Sequence, residues 1–209
     1  MNFKILTITR LIRALAAALV LSLAVSLCGF SGECNQIRER VLRLHVLANS
    51  DSDEDQLLKL KVRDTVISTA ANIFDAANNE GEALAVAQKR LNEIETAAQR
   101  RVFNEGYDYS VKASLCEMYF TTRQYDNLML PAGIYDAVRI TIGEGKGKNW
   151  WCVIFPPICV SAATDAAELP DVLDPAQEQI VTQPKRFKVR FKIVEIFEDL
   201  SRRFNSWFN

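Results

Sequence analysis

Hydrophobic residues change their spacing several times along the chain, and each change predicts an element. An unbroken apolar run from Ala14 to Phe30 follows the cations Lys4, Arg10 and Arg13. A positive n-region before a hydrophobic h-region is the layout of an export signal. Its length lies between a cleaved signal peptide and a comfortable membrane span, so release and uncleaved anchoring both stay open. From Leu42 to Val46 the pattern alternates, with Arg43 and His45 opposite Leu42, Leu44 and Val46. That period predicts a strand with one buried face. Residues 48–56, ANSDSDEDQ, are rich in helix-start residues. Ser52 with Asp55 resembles a capping box, and Asp53, Glu54 and Asp55 suit the positive end of a helix. Leu57, Leu60, Val66, Ile67, Ala70, Ile73, Phe74 and Ala77 then recur at helical spacing up to Asn78–Asn79. A second helix opens at Glu80–Gly81, carries Leu84, Ala87, Leu91, Ile94, Ala98 and Val102 on one face, and closes at Gly106. The two form an antiparallel helical hairpin.

The period then drops to two. Tyr107, Tyr109, Val111, Ala113 and Leu115 alternate with Asp108, Ser110, Lys112 and Ser114, a strand. Beyond it the apolar phase moves to Cys116, Met118 and Phe120, which predicts a bulge or the start of another surface. Leu130-Pro131-Ala132-Gly133 has the residues of a type I turn. It precedes a strand on which Val138, Ile140 and Ile142 share a face, and Gly143, Gly145 and Gly147 lead into a further strand reaching Ile154. Residues 161–180, with Pro170 and Pro175, have little pattern and read as a surface linker. Phe187, Val189, Phe191 and Ile193 alternate with Arg186, Lys188, Arg190 and Lys192, predicting a strand with one basic face. Ile193, Ile196, Phe197, Leu200, Phe204, Trp207 and Phe208 continue at helical spacing. The sum is an α+β fold, a helical hairpin packed on a mainly antiparallel sheet. Its parts are a signal peptide or membrane anchor at 1–32, a core domain at 37–160, an acidic loop at 161–184, and a C-terminal strand and amphipathic helix at 185–209.

Composition narrows the function classes. The formal net charge of −1 leaves no whole-chain basic field for nucleic acid. His45 is the single histidine, and on the polar side of a strand it reads as a surface or helix-covered residue rather than a general base. Asp51, Asp53 and Asp55 mimic the start of a calcium loop, but Gln56 stands where the turn glycine belongs and Val62 where the bidentate glutamate belongs. GEGKGKN lacks the GK[ST] ending of a phosphate loop and leads into a strand. No catalytic set, metal or cofactor is expected.

The densest apolar stretch is NWWCVIFPPICV at 149–160. Successive strand side chains face opposite ways, so Trp150 and Trp151 cannot enter one core together. Pro156 and Pro157 fix their backbone and restrict the residue before each. A bond between Cys152 and Cys159 would close a short loop worth roughly 2–3 kcal/mol, and export would let it persist. Zinc at these cysteines is disfavoured by their spacing and by the lone histidine. The stretch reads as a stapled presentation loop with Trp150, Trp151, Phe155, Pro156 and Pro157 as partner-binding residues. The basic C-terminal segment is a second surface, solvated or laid on a membrane. Of the remaining cysteines, Cys28, Cys34 and Cys116, at least one stays unpaired or leaves with the signal. Leu27 before Cys28 argues against a lipoprotein.

LRLHVLANSDSDEDQLLKLKVRDTV at 42–66 and PAGIYDAVRITIGEGKGKNWWCVIFPPICV at 131–160 resemble the stage II sporulation protein R family of endospore-forming bacteria. The resemblance covers about residues 37–160 and, more weakly, FKVRFKIVEIFE. It implies an intercellular signal made in the forespore and exported to the space between forespore and mother cell. There such a protein is needed to activate a membrane-embedded aspartic protease of the mother cell, which processes a sigma-factor precursor. The rival expectation is an exported hydrolase or thiol enzyme using His45 or a cysteine.

Overall fold

The computed structural model of the chain describes residues 2–125, 128–156 and 173–208. At its centre β1 (Leu42–Leu47) runs parallel to β5 (Gly133–Ile142) and antiparallel to β6 (Asn149–Phe155). β2 (Val111–Phe120) lies antiparallel outside β5, giving the order β2-β5-β1-β6. The helical hairpin of α2 (Asp53–Phe74) and α3 (Glu80–Asn104) covers one face. Leu44, Val46, Val138, Ile140 and Cys152 from the sheet pack there with Val62, Val66, Ile94 and Ala98. Each helix starts on a side-chain cap: Ser52 Oγ accepts from Asp55 N, and Asn79 Oδ1 from Glu82 N. α3 also closes the outer edge of β2. Glu95 Oε2 accepts from Ala113 N and Gln99 Oε1 from Val111 N, each at 2.7 Å. Backbone groups that would otherwise invite another strand are thereby occupied.

β1 departs from the one-sided strand that its alternation predicts, for all six of its residues are buried. A second layer covers the other face of the sheet. It is built from the end of α1 (Asn2–Arg38), the hairpin of β3 (Arg123–Tyr125) and β4 (Leu128–Leu130), α4 (Pro175–Thr182) and α5 (Pro184–Phe208). Phe30, Ile37, Phe120, Tyr135, Val153, Val181 and Phe191 form its core. This layer accounts for the phase change in β2 without a bulge. The β2–β5 register runs unbroken from Val111 opposite Ile142 to Phe120 opposite Gly133. Val111 and Ala113 face the helical hairpin, whereas Met118 and Phe120 face the second layer.

Two C-terminal expectations are corrected. Residues 185–192 are helical, not a strand, because α5 runs continuously from Pro184. The alternation arises from two apolar faces on one helix: Phe191 and Val194 are buried inward, while Val189 and Ile193 point out. The patternless acidic segment also contains α4, whose N-cap Asp174 forms a capping box with Gln177. α4 buries Gln177, Ile180 and Val181 against the second layer. α1 passes Phe30 without a break and delivers Phe30, Cys34 and Ile37 into that core.

Candidate functional site

Two loops meet where β1 and β5 end. Asn49 carbonyl accepts from Lys146 N at 3.1 Å, Ala48 carbonyl from Gly147 N at 3.0 Å, and Asp51 Oδ1 from Lys148 N at 2.7 Å. Lys59, only 4% exposed, donates to the Lys148 carbonyl at 3.0 Å and to Gln56 Oε1 at 2.6 Å. Asp55, also buried, accepts from Ser50 Oγ at 2.6 Å and Asn49 Nδ2 at 2.8 Å. Burial opposes ionisation of Asp55, but these hydrogen bonds prevail and hold its carboxyl below the usual range. The approach is so close that a Cβ at Gly147 would overlap the Ser50 carbonyl. Of the aspartates that resemble a metal loop, Asp53 and Asp55 lie in the first turn of α2, Asp51 holds Lys148 of the β5–β6 connection, and Asp55 holds Asn49 and Ser50 after β1. Among the described residues, no group of three or more His, Cys, Asp or Glu is placed to hold a metal ion.

Under the second layer, the polar positions of β1 form a buried aromatic and cationic stack. The Arg43 guanidinium lies over Phe120 at 4.2 Å, Tyr135 at 4.8 Å and Tyr125 at 5.5 Å. Its Nε donates to the Cys152 carbonyl at 3.1 Å and its Nη2 to Tyr125 Oη at 2.6 Å, while Nη1 has no hydrogen-bond partner. Burial pushes the guanidinium pKa below its ordinary value, and Tyr135 and Tyr125 act against that shift. His45 stacks flat on Trp151, with ring centres 3.9 Å apart, and Phe120 meets Trp151 edge-on at 4.9 Å. Burial pushes the His45 pKa down to about 4, so its ring is neutral at pH 7. The residue is 3% exposed; the Asn149 side chain opposes the downward shift, and the nearby Arg139 cation adds to it. A buried ring stacked on an indole is poorly placed to meet a substrate.

The presentation stretch divides in three. Trp150 and Trp151 sit half-buried on opposite faces of β6, as strand geometry requires, and β6 is an edge of the four-stranded sheet. Trp150 packs against the helical hairpin with the Arg63 guanidinium 4.3 Å from its ring centre. Phe155 departs from its expected role as an outward anchor. A register irregularity opposite Leu42 and Arg43 turns it into the core, edge-on to Phe74 at 6.4 Å, and Pro156 is buried beside it. Pro157 and Cys159 lie outside the described residues. Cys152 is disulfide-bonded, whereas Cys28, Cys34 and Cys116 are free thiols. Sequence reasoning missed Arg43 and Tyr125 altogether. A basic residue in the polar phase of a strand carries no local sign that a hairpin 82 residues away will cover it.

The model of the stage II sporulation protein R family matches residues 38–165. The chain belongs to that family. A stage II sporulation protein R of Bacillus subtilis (strain 168) is 41% identical over 123 residues, which make up 59% of this chain and 55% of that protein. The match thus spans about half the length of that curated relative. No solved structure matches the chain. The stretch shared with the stage II sporulation protein R family contains β1 to β6, the locked loops and the Arg43 stack, and it precedes α4 and α5.

Proposed function

We propose that this sporulation protein is an exported intercellular signal that works by protein contact. On this reading it passes from the forespore into the space facing the mother cell. There it activates a membrane-embedded aspartic protease, which processes a sigma-factor precursor. The reading rests first on membership of the stage II sporulation protein R family. The apolar helix α1 supports export, being long and apolar enough to cross a membrane. The contact is assigned to β6, with Trp150 and Trp151 as its aromatic anchors and a Cys152–Cys159 bond pinning the chain beyond them. Phe155 and Pro156 support that edge from inside. The buried Arg43 guanidinium ties β6 to β1 and β3 and keeps the edge rigid. Rigid aromatic surface is what a protein partner uses as an anchor.

Co-expressing the full chain with the protease and the precursor in a non-sporulating host tests the reading. Precursor cleavage should depend on the chain and should fall with Trp150→Ala when compared at equal levels of folded protein. Cleavage that proceeds equally without the chain would remove the signalling role. Full activity of a folded Trp150→Ala variant would remove β6 from the contact.

A further inference from the structure

The second layer stops partway along the sheet, and the row beyond it is cationic. Register places Ser114, Arg139, His45 and Trp151 side by side across β2, β5, β1 and β6. In the preceding row Ala137 and Val153 are fully buried in the second core, whereas Arg139 is exposed. Lys112 is exposed as well and pairs with Thr141, which sets it diagonally from Arg139 on the same face. At the far end of the row the exposed Arg123 of β3 lies 6.0 Å from the Trp151 ring centre.

Lys112, Arg123 and Arg139 have no ion pair among the described residues. Cations nearby are matched: Arg63, beside Trp150 on the opposite face, pairs with Asp64 at 2.6 Å, and Lys146 with Glu144 at 2.7 Å. Like charges set close together on one sheet face work against its stability, so folding alone gives no reason to group them. None of the four residues of the row is acidic, so matching carboxylates must come from outside it. A bilayer is a poor occupant. Docking there needs apolar side chains free to enter the acyl boundary, and the row exposes no aliphatic residue. The row also runs directly into β6, the strand assigned above to protein contact.

We propose that this row receives an acidic stretch of the membrane protease, whose aspartates or glutamates pair with Arg139, Lys112 and Arg123 beside Trp151. The inference rests on the reading of β6 as the surface that meets that protease. From β2 to β6 the row spans about 14 Å, the reach of about four or five extended residues. A short segment lying across the strands therefore meets all three cations.

The test is a zero-length crosslink. The full chain and the protease are mixed in non-ionic detergent and treated with a water-soluble carbodiimide, which joins a carboxylate to an amine in contact with it. Mass spectrometry should find Lys112 joined to an aspartate or glutamate of the protease in several-fold higher yield than Lys89, an exposed lysine of α3. Arg139→Lys should add a second crosslink. Lys112→Glu combined with Arg139→Glu should lower precursor cleavage several-fold at equal levels of folded protein, and Lys89→Glu should leave it unchanged. Equal crosslink yields at positions 112 and 89, or full cleavage with the folded double variant, overturn the proposal. Full cleavage together with lost binding to phosphatidylglycerol vesicles would assign the row to lipid instead. A photoreactive benzoylphenylalanine at Trp150 separates this inference from the reading beneath it. If position 150 crosslinks to the protease and Lys112 does not, the acidic contact falls alone. If neither does, the reading of β6 falls and the acidic contact falls with it.

Discussion

His45 makes the most direct prediction, because the chain's single histidine gives one imidazole resonance to track. The ring is buried and stacked on Trp151 at 3.9 Å. Its pKa is accordingly pushed from 6.5 to about 4. The unfolded chain takes up a proton near pH 6.5 and the folded chain only near pH 4. The neutral ring's contribution is therefore complete above pH 6.5 and is lost as pH falls toward 4. Integrating between those values gives a loss of about 2 kcal/mol by pH 5. Glu80 works in the opposite direction. Burial, and then the neighbouring Asp136 carboxylate, raise its pKa from 4.5 to about 7, so its stabilising protonated form is present at low pH and lost as pH rises through 7. Discounted for partial exposure, that contributes about 1–2 kcal/mol on acidification from pH 7.5 to 5. The full chain in non-ionic detergent should thus show a nearly level urea midpoint over this range. Glu80→Gln should make stability fall on acidification, and His45→Phe should make it rise. Proton NMR of the imidazole gives the His45 midpoint directly. A midpoint near 6.5, or a level profile in the Glu80→Gln variant, would refute the reasoning.

The core and the loop lock give three further expected outcomes. Gly147→Ala drives a Cβ into the Ser50 carbonyl, and overpacking of this kind costs about 1–3 kcal/mol; a lowered urea midpoint at unchanged slope is the expected result. Arg43→Met keeps the bulk of the stack and removes a buried charge whose Nη1 has no hydrogen-bond partner. It should be neutral or stabilising, while Arg43→Ala should lower the thermal midpoint clearly. Ser52→Ala removes the acceptor for Asp55 N and should cost about 1 kcal/mol, measurable by the same unfolding assay.

Local spacing was enough for the helical hairpin and for the strands that carry one apolar face. Leucine, valine and alanine at period 3.6, with Ser52 ahead of α2, leave little else for residues 53–104 to do. The glycine-rich GEGKGK turn and the tryptophan strand were legible for the same reason. The candidate contact was half legible: adjacent tryptophans must face opposite ways, but the irregularity that buries Phe155 belongs to a pairing with β1 that the sequence does not print.

What escaped is everything that depends on a second layer. Arg43 and His45 read as the polar side of the strand, with His45 at a surface or under a helix, because polar residues alternating with apolar ones usually lie outside the core. They are buried because the β3–β4 hairpin, α4 and α5 close over that face. FKVRFKIV satisfies the period of a strand and equally that of a helix apolar on two sides. Packing of Phe187 and Phe191 on Phe30 decides for the helix. Sequence by itself determines where apolar surface lies along each element, since that is a property of neighbours in the chain. Which polar residues are also desolvated, and which apolar stripe is left bare, is decided only when distant elements compete for the two faces of one sheet.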